Sequence, residues 1–190
     1  MFLIHRPSAK EIERFLDAAK NLSLSYQPIG LAQGNPRDFK IDEANAVIGQ
    51  GELAFESART ALKTWRHFEL GWVQLFPRHA PIEPETNVAV LARHLGLWSL
   101  NACRVVYSIG DETGVKCGFA YGTLTEHAER GEELFEVAFD QRSGQVSYRI
   151  RAVSRPRAAL AQIGYPFTRL FQDRFRRGSI RAMKRAVGSA

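Results

Sequence analysis

Residues capable of acid and base chemistry are concentrated between positions 119 and 135. This stretch holds His127, Glu129, Glu132 and Glu133. A histidine titrates near neutral pH and a neighbouring carboxylate can orient it, so such a set could move protons or bind a polar group. The alternative is a capped turn in which these side chains satisfy backbone groups, and clusters of this kind are often structural. We predict a candidate site here, with His127 or Glu133 as the general base of any reaction.

The residues on either side of this cluster alternate as they would in two β-strands. Within residues 115–124, alternation places Cys117, Phe119, Tyr121 and Thr123 on one face and Gly118, Ala120 and Gly122 on the other. A face of glycine and alanine allows a bulky group to approach the backbone closely. In the following strand Glu133 shares a face with Phe135, so we expect it to point toward a cavity mouth beside Tyr121 and Thr123 of the preceding strand.

Aromatic and hydroxyl-bearing side chains are numerous enough to line an apolar cavity. Aromatic residues make up 11% of the sequence. Such side chains usually form ordinary core, but a few hydroxyl groups within an apolar lining are suited to orienting a ligand. The residues predicted to contact a ligand are Trp72, Trp98, Phe119, Tyr121, Thr123, Glu133, Phe135 and Tyr148.

Several other chemistries are disfavoured by residue spacing. The five histidines are scattered, and neither the His-x-x-x-His nor the Cys-x-x-Cys spacing of zinc sites occurs, so we expect no metal site. No glycine-rich phosphate loop or dinucleotide fingerprint is present, and we predict no cofactor. Cys103 and Cys117 fall on apolar strand faces, where a thiol usually acts as a small hydrophobe. A catalytic thiolate would need His127 as its base.

Length and composition indicate an ordinary globular protein. The 190 residues are 45% hydrophobic and 24% charged, which predicts one domain. Two cysteines and a short apolar start without a signal pattern favour a cytoplasmic protein. No run of about 18 apolar residues occurs, so we predict no transmembrane segment.

The positive charge belongs to the C-terminal segment. Residues 155–190 contain nine basic side chains and one acid, Asp173. A nucleic acid or an anionic membrane could bind this segment through phosphate attraction, whereas a solvated face or a partner for the acidic remainder is the structural alternative. The residues predicted for such a contact are Arg174, Arg177, Arg181 and Arg185.

The order of elements predicts an α+β fold. Ser8 and Glu11 form a capping box for a helix over residues 9–21, and a second helix follows over residues 52–65. A strand is expected over 22–29, and a long connection with a short helical turn at 42–47 follows it. Alternation predicts further strands over 70–76, 86–93, 98–109, 115–124, 133–139 and 146–152. A long helix, kinked or restarted at Pro166, follows residue 157, with Leu160, Ile163, Phe167, Leu170, Phe171 and Phe175 as its apolar stripe.

One motif points to a known family. The sequence Phe119-Ala-Tyr-Gly-Thr-Leu-x-x-His-x-Glu-x-Gly-Glu-Glu-x-Phe135, with Gly71-Trp72, Cys103-Arg-Val-Val-Tyr107 and Ser154-Arg-Pro156, resembles the domain of unknown function family DUF1990. The element order resembles the helix-grip fold of START and Bet v 1-like proteins. That resemblance implies a curved antiparallel sheet of about six or seven strands wrapped on a long C-terminal helix, enclosing an apolar cavity. It implies no established reaction.

Three functions follow from these patterns. The first is a cytoplasmic binding module that holds a small hydrophobic or amphipathic ligand between sheet and helix. The second is a hydrolase- or cyclase-type enzyme that uses His127 or Glu133 in the same cavity. The third is a peripheral protein that binds nucleic acid or an anionic membrane through its basic last helix.

Overall fold

The computed structural model describes residues 1–110, 114–127, 129–156 and 165–188. A short strand β1 and a helix α1 precede a strand, a second helix, six further strands and a last helix. Two short 3-10 turns lie at Leu31–Gln33 and Arg66–Phe68. The elements are β1 (Phe2–Leu3), α1 (Ala9–Ala19), β2 (Lys40–Gln50), α2 (Gly51–Lys63), β3 (Val73–Phe76), β4 (Asn87–His94), β5 (Leu97–Gly110), β6 (Lys116–Thr123), β7 (Glu129–Phe139), β8 (Gln145–Pro156) and α3 (Tyr165–Gly188).

All eight strands join one antiparallel sheet. Its order is β2-β8-β7-β6-β5-β4-β3, and β1 pairs with the start of β5. Strands β4 to β8 are consecutive both in the chain and in space, which is a meander. Helices α2 and α3 pack on one face of the sheet, which we call the inner face. The predicted α+β class, with an antiparallel sheet around a long C-terminal helix, is therefore confirmed.

The main core lies between the inner face and the two helices. Alternate residues of β6, β7 and β8 enter it, as the period of two predicted. Phe55 of α2 stacks on Phe139 with ring centroids 5.7 Å apart, and Met183 of α3 is fully buried. The strand residues of this core include Phe119, Tyr121, Phe135, Val137, Val146, Tyr148 and Ile150.

The N-terminal segment covers the other, outer face of the sheet. Helix α1 buries Ile12 against Leu91 and Leu100, and the capping box predicted at Ser8 and Glu11 is present. Farther along the chain, Tyr26 packs over Gly122, where an added Cβ atom would overlap the tyrosine ring. The glycine face of β6 thus lets a bulky group approach the backbone, and that group is the Tyr26 ring.

Two predictions for the N-terminal third were wrong. Residues 22–29 form no strand, and Leu24 makes only an isolated bridge to Leu124. The predicted connection and helical turn at 42–47 is instead the long strand β2, paired with β8 along its whole length. Asp42 and Glu43 are poor strand formers, but arginines from distant segments neutralise them once the sheet has formed.

A β-bulge in β5 interrupts the alternation of side chains along this strand. The register shifts between Val105 and Tyr107, so alternation is interrupted there. Cys103 and Val105 lie in the inner core, whereas Tyr107 and Ile109 pack on the outer face. Regular alternation over residues 98–109 would place these four residues on one face, and the structure follows it only as far as the bulge.

Helix α3 begins at Tyr165, so Pro166 falls in its first turn, where a missing N–H costs no hydrogen bond. The earlier part of the predicted helix, with Leu160 and Ile163, lies outside the described residues, as do residues 111–113 between two of the predicted strands. Phe171 and Phe175 lie on the partly buried side of α3, but Leu170, which was predicted to share their stripe, is 58% exposed.

Candidate functional site

A carboxyl group lies between the sheet and α3 in a largely apolar environment. Glu133 of β7 is paired in register with Tyr121 of β6, and both face the inner side. The Tyr121 hydroxyl donates a hydrogen bond to Oε2 of Glu133 over 2.5 Å. Burial raises the pKa of Glu133 to about 7; the tyrosine and the positive charge of Arg176 oppose the shift, and nearby Glu129 adds to it. The group can therefore accept or release a proton near neutral pH.

Glu133 borders a cavity of about 390 Å³. Its wall is formed by the inner face of the sheet, the second 3-10 turn, the loop before β7 and helix α3. Apolar atoms form most of the cavity surface, and the residues that contribute them include Phe68, Val73, Val90, Ala92, Ala152, Phe171 and Phe175. Polar side chains also border the cavity. Tyr121, Thr123, His127, Glu129 and Glu133 come from β6, β7 and the loop between them, and other strands and α3 supply His94, Ser99, Asn101, Ser154, Gln172 and Arg176. This pattern is typical of sites for small molecules.

His127 lines the cavity, but its geometry does not suit a general base. The backbone N–H of Glu129 donates to Nδ1 of the ring over 3.0 Å. Burial, followed by the positive N-terminus, lowers the pKa of His127 to about 4, so the ring is neutral at physiological pH. Because Nδ1 accepts a hydrogen bond, the ring proton is on Nε2, which makes that atom a donor. Of the two predicted bases, Glu133 alone has a pKa suited to the role.

Thr123 also lines the cavity, but structural hydrogen bonds occupy its hydroxyl group. The hydroxyl accepts the N–H of Gly131 over 2.9 Å and donates to the carbonyl of the same residue over 3.2 Å. Ser25 then donates to it over 2.6 Å. These contacts secure the point where β6 and β7 separate, so Thr123 is fitted to hold the cavity wall in place.

Glu132 has a structural role on the outer face. Its carboxylate accepts hydrogen bonds from the hydroxyls of Tyr26 and Tyr107, each over 2.8 Å. It also accepts from the backbone N–H groups of Gly30 and Ala32 over 2.9 and 3.1 Å. The side chain is 2% exposed. Glu132 therefore has the structural role described above as the alternative for this cluster, and its hydrogen bonds join the N-terminal segment to the sheet.

Helix α3 contributes two polar residues that we did not predict from the sequence. Gln172 donates from its amide to both carboxylate oxygens of Glu129, over 2.8 and 3.0 Å. Arg176 is largely buried, with its guanidinium 3.7 Å from Asp42 and 3.4 Å from Asp173. Both line the cavity. Arg176 occurs between two other arginines, Arg174 and Arg177, which are both exposed. Its residue type and position therefore do not indicate that its side chain points into the cavity.

Comparison with known sequences identifies the family. The model of the family described as "Domain of unknown function (DUF1990)" matches residues 25–182, which is most of the chain. The chain belongs to the DUF1990 family. A UPF0548 protein of Dictyostelium discoideum is 32% identical over 209 residues, covering 100% of this chain and 97% of that protein. The resemblance predicted from the 119–135 motif is therefore confirmed.

Solved structures with similar folds are distant in sequence from this DUF1990 protein. A hypothetical protein, jhp0584, from Helicobacter pylori has a TM-score of 0.56 at 10% identity, covering 86% of this chain and 95% of that one. The Zhui aromatase/cyclase from Streptomyces has a TM-score of 0.51 at 12% identity, covering 79% and 94%. At such identities the similarity establishes a shared helix-grip fold and no more.

Four of the predicted ligand contacts do not line the cavity of this DUF1990 protein. Phe119, Phe135 and Tyr148 are at most 1% exposed and pack within the core, where the Tyr148 hydroxyl pairs with Ser179 over 2.8 Å. Trp98 packs on the outer face in the cluster that contains Ile12 of α1, because side chains alternate along β5 and its neighbour Ser99 lines the cavity on the other face. Trp72 does line the cavity, beside Phe171.

His67 is a buried residue that the sequence did not single out. It is 0% exposed and surrounded by aromatic rings, the nearest being Phe135 at 4.6 Å between centroids. Neither ring nitrogen has a hydrogen-bond partner among the described residues. Burial lowers the pKa of His67 to about 3, so the ring is neutral. A single histidine after a helix does not indicate from the sequence that its side chain will be buried among aromatic rings.

Thiols, metal ligands and membrane-spanning helices were considered from the sequence and were not expected to carry the function of this DUF1990 protein. Burial raises the pKa values of both Cys103 and Cys117, the latter to about 11, which disfavours a thiolate. No group of three or more His, Cys, Asp or Glu residues within those ranges could hold a metal ion. Likewise, none of the described helices is sufficiently long and apolar to cross a bilayer.

Proposed function

We propose that this protein is a cytoplasmic binding module for a small hydrophobic or amphipathic molecule. The observation that carries the proposal is the cavity of about 390 Å³ between the sheet and α3, within the size range of small-molecule sites. Its apolar lining favours a hydrocarbon or aromatic body for the ligand. The helix-grip fold supports the same interpretation, because it places a long helix across a concave sheet.

Glu133 and Tyr121 would orient the polar end of the ligand. Near pH 7 the Glu133 carboxyl exists in both protonation states, since its pKa is about 7. One of its oxygens accepts the Tyr121 hydroxyl, and the carboxyl can offer a donor or an acceptor to a ligand. His127 contributes a neutral ring with a donor at Nε2. A neutral hydroxyl or carbonyl group on the ligand would fit this set.

The first test is native mass spectrometry of freshly purified protein, followed by solvent extraction, to detect a molecule that co-purifies. A titration with the neutral fluorophore N-phenyl-1-naphthylamine gives a second measurement. Ala152→Phe, which fills the cavity, should abolish both signals, whereas Ala18→Phe on the exposed side of α1 should preserve them. Equal probe binding by the two variants, or no saturable binding by the wild type, would contradict the proposal.

A second candidate is an enzyme in the same cavity, with Glu133 as general acid or base. The pKa of about 7 favours it, because proton transfer at neutral pH is most efficient from such a group. A hydrolase or cyclase would convert the bound molecule into a different product. Incubation with the extracted compound, followed by mass analysis, distinguishes the two. Glu133→Gln should stop conversion, because an amide cannot transfer the proton, while its oxygen and N–H groups still offer an acceptor and a donor to the bound molecule.

A further inference from the structure

Large apolar side chains are exposed at the end of the sheet where the cavity reaches the surface. Phe2 lines the cavity and is nevertheless 72% exposed. Strand pairing brings its neighbours to the same place, because Leu3 pairs with Trp98 and His94 pairs with Leu97. The ring of Phe171 lies 4.1 Å from that of His94, which brings the start of α3 there as well. We define the mouth rim as Phe2, Ile4, Leu95, Leu97 and Leu170, which are 72, 84, 85, 47 and 58% exposed.

Leu95 occupies a position that folding alone does not favour for leucine. The turn between β4 and β5 consists of Leu95 and Gly96, with φ angles of +46° and +90°. A two-residue hairpin turn of this kind prefers Asn, Asp or Gly at both positions. The leucine side chain gains little from packing, since it is 85% exposed. An apolar residue at the tip is better explained by a contact outside the chain.

Cations flank the mouth rim. Arg6 and Arg93 each lie 5.9 Å from the centroid of the Trp98 ring, and Arg174 lies 4.4 Å from that of Trp72. All three are exposed. Residues 1–6 and 87–110 contain no Asp or Glu. Two acids interact with groups in this region: Glu126 interacts with the N-terminal amine, and Asp173 pairs with arginines of its own helix.

We propose that the mouth rim docks on an anionic lipid bilayer. Exposed apolar side chains beside arginines, on segments 1–6 and 87–110 that contain no acid, match a surface of acyl chains under negatively charged phosphates. Phe2, Leu95 and Leu97 insert, while Arg93 and Arg174 remain at the level of the phosphate groups. This contact is independent of any ligand in the cavity.

Docking through the mouth rim would use only some of the arginines that the sequence predicted for an anionic contact. Arg174 belongs to the docking surface, whereas Arg185 lies 11 residues farther along α3, about 16 Å away at 1.5 Å per residue. Arg177 pairs with Asp173, and the guanidinium of Arg185 reaches the carbonyl of Glu69. The anionic contact is thus centred on one end of the sheet and not along the whole basic helix.

The experiment is flotation of the protein with vesicles of phosphatidylcholine, with and without phosphatidylglycerol. We expect binding to the anionic vesicles that weakens with added salt. Leu95→Asp should reduce it at least about tenfold, because a charge replaces an inserting side chain. Asp suits the turn, so the variant should fold. The matched control is Leu53→Asp, which is 86% exposed on α2 at the opposite end of the sheet and should bind as the wild type does.

Charge is tested separately. Arg93→Gln with Arg174→Gln should weaken binding by about fivefold for each arginine, whereas Arg142→Gln with Arg181→Gln should have no effect. Absence of wild-type binding, equal binding by Leu95→Asp and Leu53→Asp, or salt-independent binding to neutral vesicles would overturn the proposal. A dimer in native mass spectra without lipid that Leu95→Asp dissociates would also overturn it, because the rim would then join two copies of the chain.

Discussion

The Tyr121 hydroxyl and the Glu133 carboxylate lie 2.5 Å apart on directly paired positions of neighbouring strands. Register, and not a flexible loop, sets this distance, so the pair is fixed when β6 and β7 associate. Both side chains line the cavity. The pair therefore presents a proton with a defined position to whatever occupies that space.

Glu133→Gln should alter how stability depends on pH. The folded pKa of Glu133, about 7, lies above its ordinary value of 4.5. Stability from the protonated group is therefore fully present below pH 4.5 and is lost as pH rises through 7. This loss is about 3 kcal/mol, at 1.4 kcal/mol per pKa unit. Urea unfolding at several pH values should show the variant gaining on the wild type between pH 4.5 and 7. Parallel curves would contradict the pKa shift, and Glu13→Gln on exposed α1 is the control.

Tyr121→Phe should raise the pKa of Glu133 further. The tyrosine hydroxyl stabilises the ionised carboxylate, and its removal leaves burial less opposed. The carboxyl carbon resonance of labelled glutamate, followed by NMR as a function of pH, measures this change. Tyr148→Phe is the matched control, because that hydroxyl pairs with Ser179. A Glu133 titration that moves to lower pH in Tyr121→Phe would show that the hydrogen bond has the opposite effect.

Glu132→Ala should destabilise the fold strongly. It removes an acceptor from two tyrosine hydroxyls and from the buried N–H groups of Gly30 and Ala32. Leaving such donors unpaired costs about 1 to 3 kcal/mol each, so we expect a loss of at least about 3 kcal/mol in the free energy of unfolding. Urea denaturation measures it. Glu126→Ala, at an exposed position, should change little. A loss no larger than that of the control would mean that the segment is held by other contacts.

Gly122→Ala should displace Tyr26 from the outer face. A Cβ atom at this position would meet the Cε1 and Cζ atoms of the tyrosine at 2.7 and 2.8 Å. Overpacking of this kind costs about 1 to 3 kcal/mol. Thermal unfolding should show a lower melting temperature for Gly122→Ala, whereas Gly110→Ala, with no atom within 4 Å, serves as the control. If Tyr26→Ala and Gly122→Ala have additive effects, the two residues do not clash.

His67→Phe should protect the fold from acid. The folded pKa of His67 is about 3, below its ordinary value of 6.5. Between these two pH values the histidine is protonated in the unfolded chain and neutral in the folded one. Stability is therefore lost as pH falls below 6.5, by about 2 kcal/mol at pH 5. His67→Phe has no group that titrates, so its stability should not fall in this way, and the phenyl ring packs among the surrounding aromatic rings. Melting temperatures at pH 5 and 8 test it, with exposed His79→Phe as the control. An equal acid sensitivity in wild type and His67→Phe would contradict the shift.

The sequence predicts the inner face of the sheet well, because side-chain direction in a strand follows from parity. Glu133 and Phe135 share a face for that reason, and the placement of Glu133 beside Tyr121 required only the correct pairing of two adjacent strands. The capping box at Ser8 was equally local. Features that depend on a few neighbouring residues were therefore accessible.

Features that depend on distant residues were not accessible. Strand β2 contains Asp42 and Glu43, whose charges favour a loop until Arg176 of α3 pairs with Asp42 and Arg151 of β8 pairs with Glu43. The inward turn of Arg176 and the enclosure of His67 likewise depend on the assembled core. The β5 bulge leaves no mark in the alternation of apolar residues, so the position of Tyr107 could not be assigned.

The three tryptophans lie in three different surroundings. Trp65 is buried in the core with its indole N–H bonded to the carbonyl of Ala80, and Trp98 packs on the outer face. Trp72 is the indole that borders the cavity, where Arg174 covers its ring. The protein thus contains an intrinsic fluorescent reporter of the cavity. A molecule that enters should change the emission of Trp72, while the emission of the other two tryptophans stays constant. In Trp72→Phe the same molecule should bind without a change in tryptophan fluorescence.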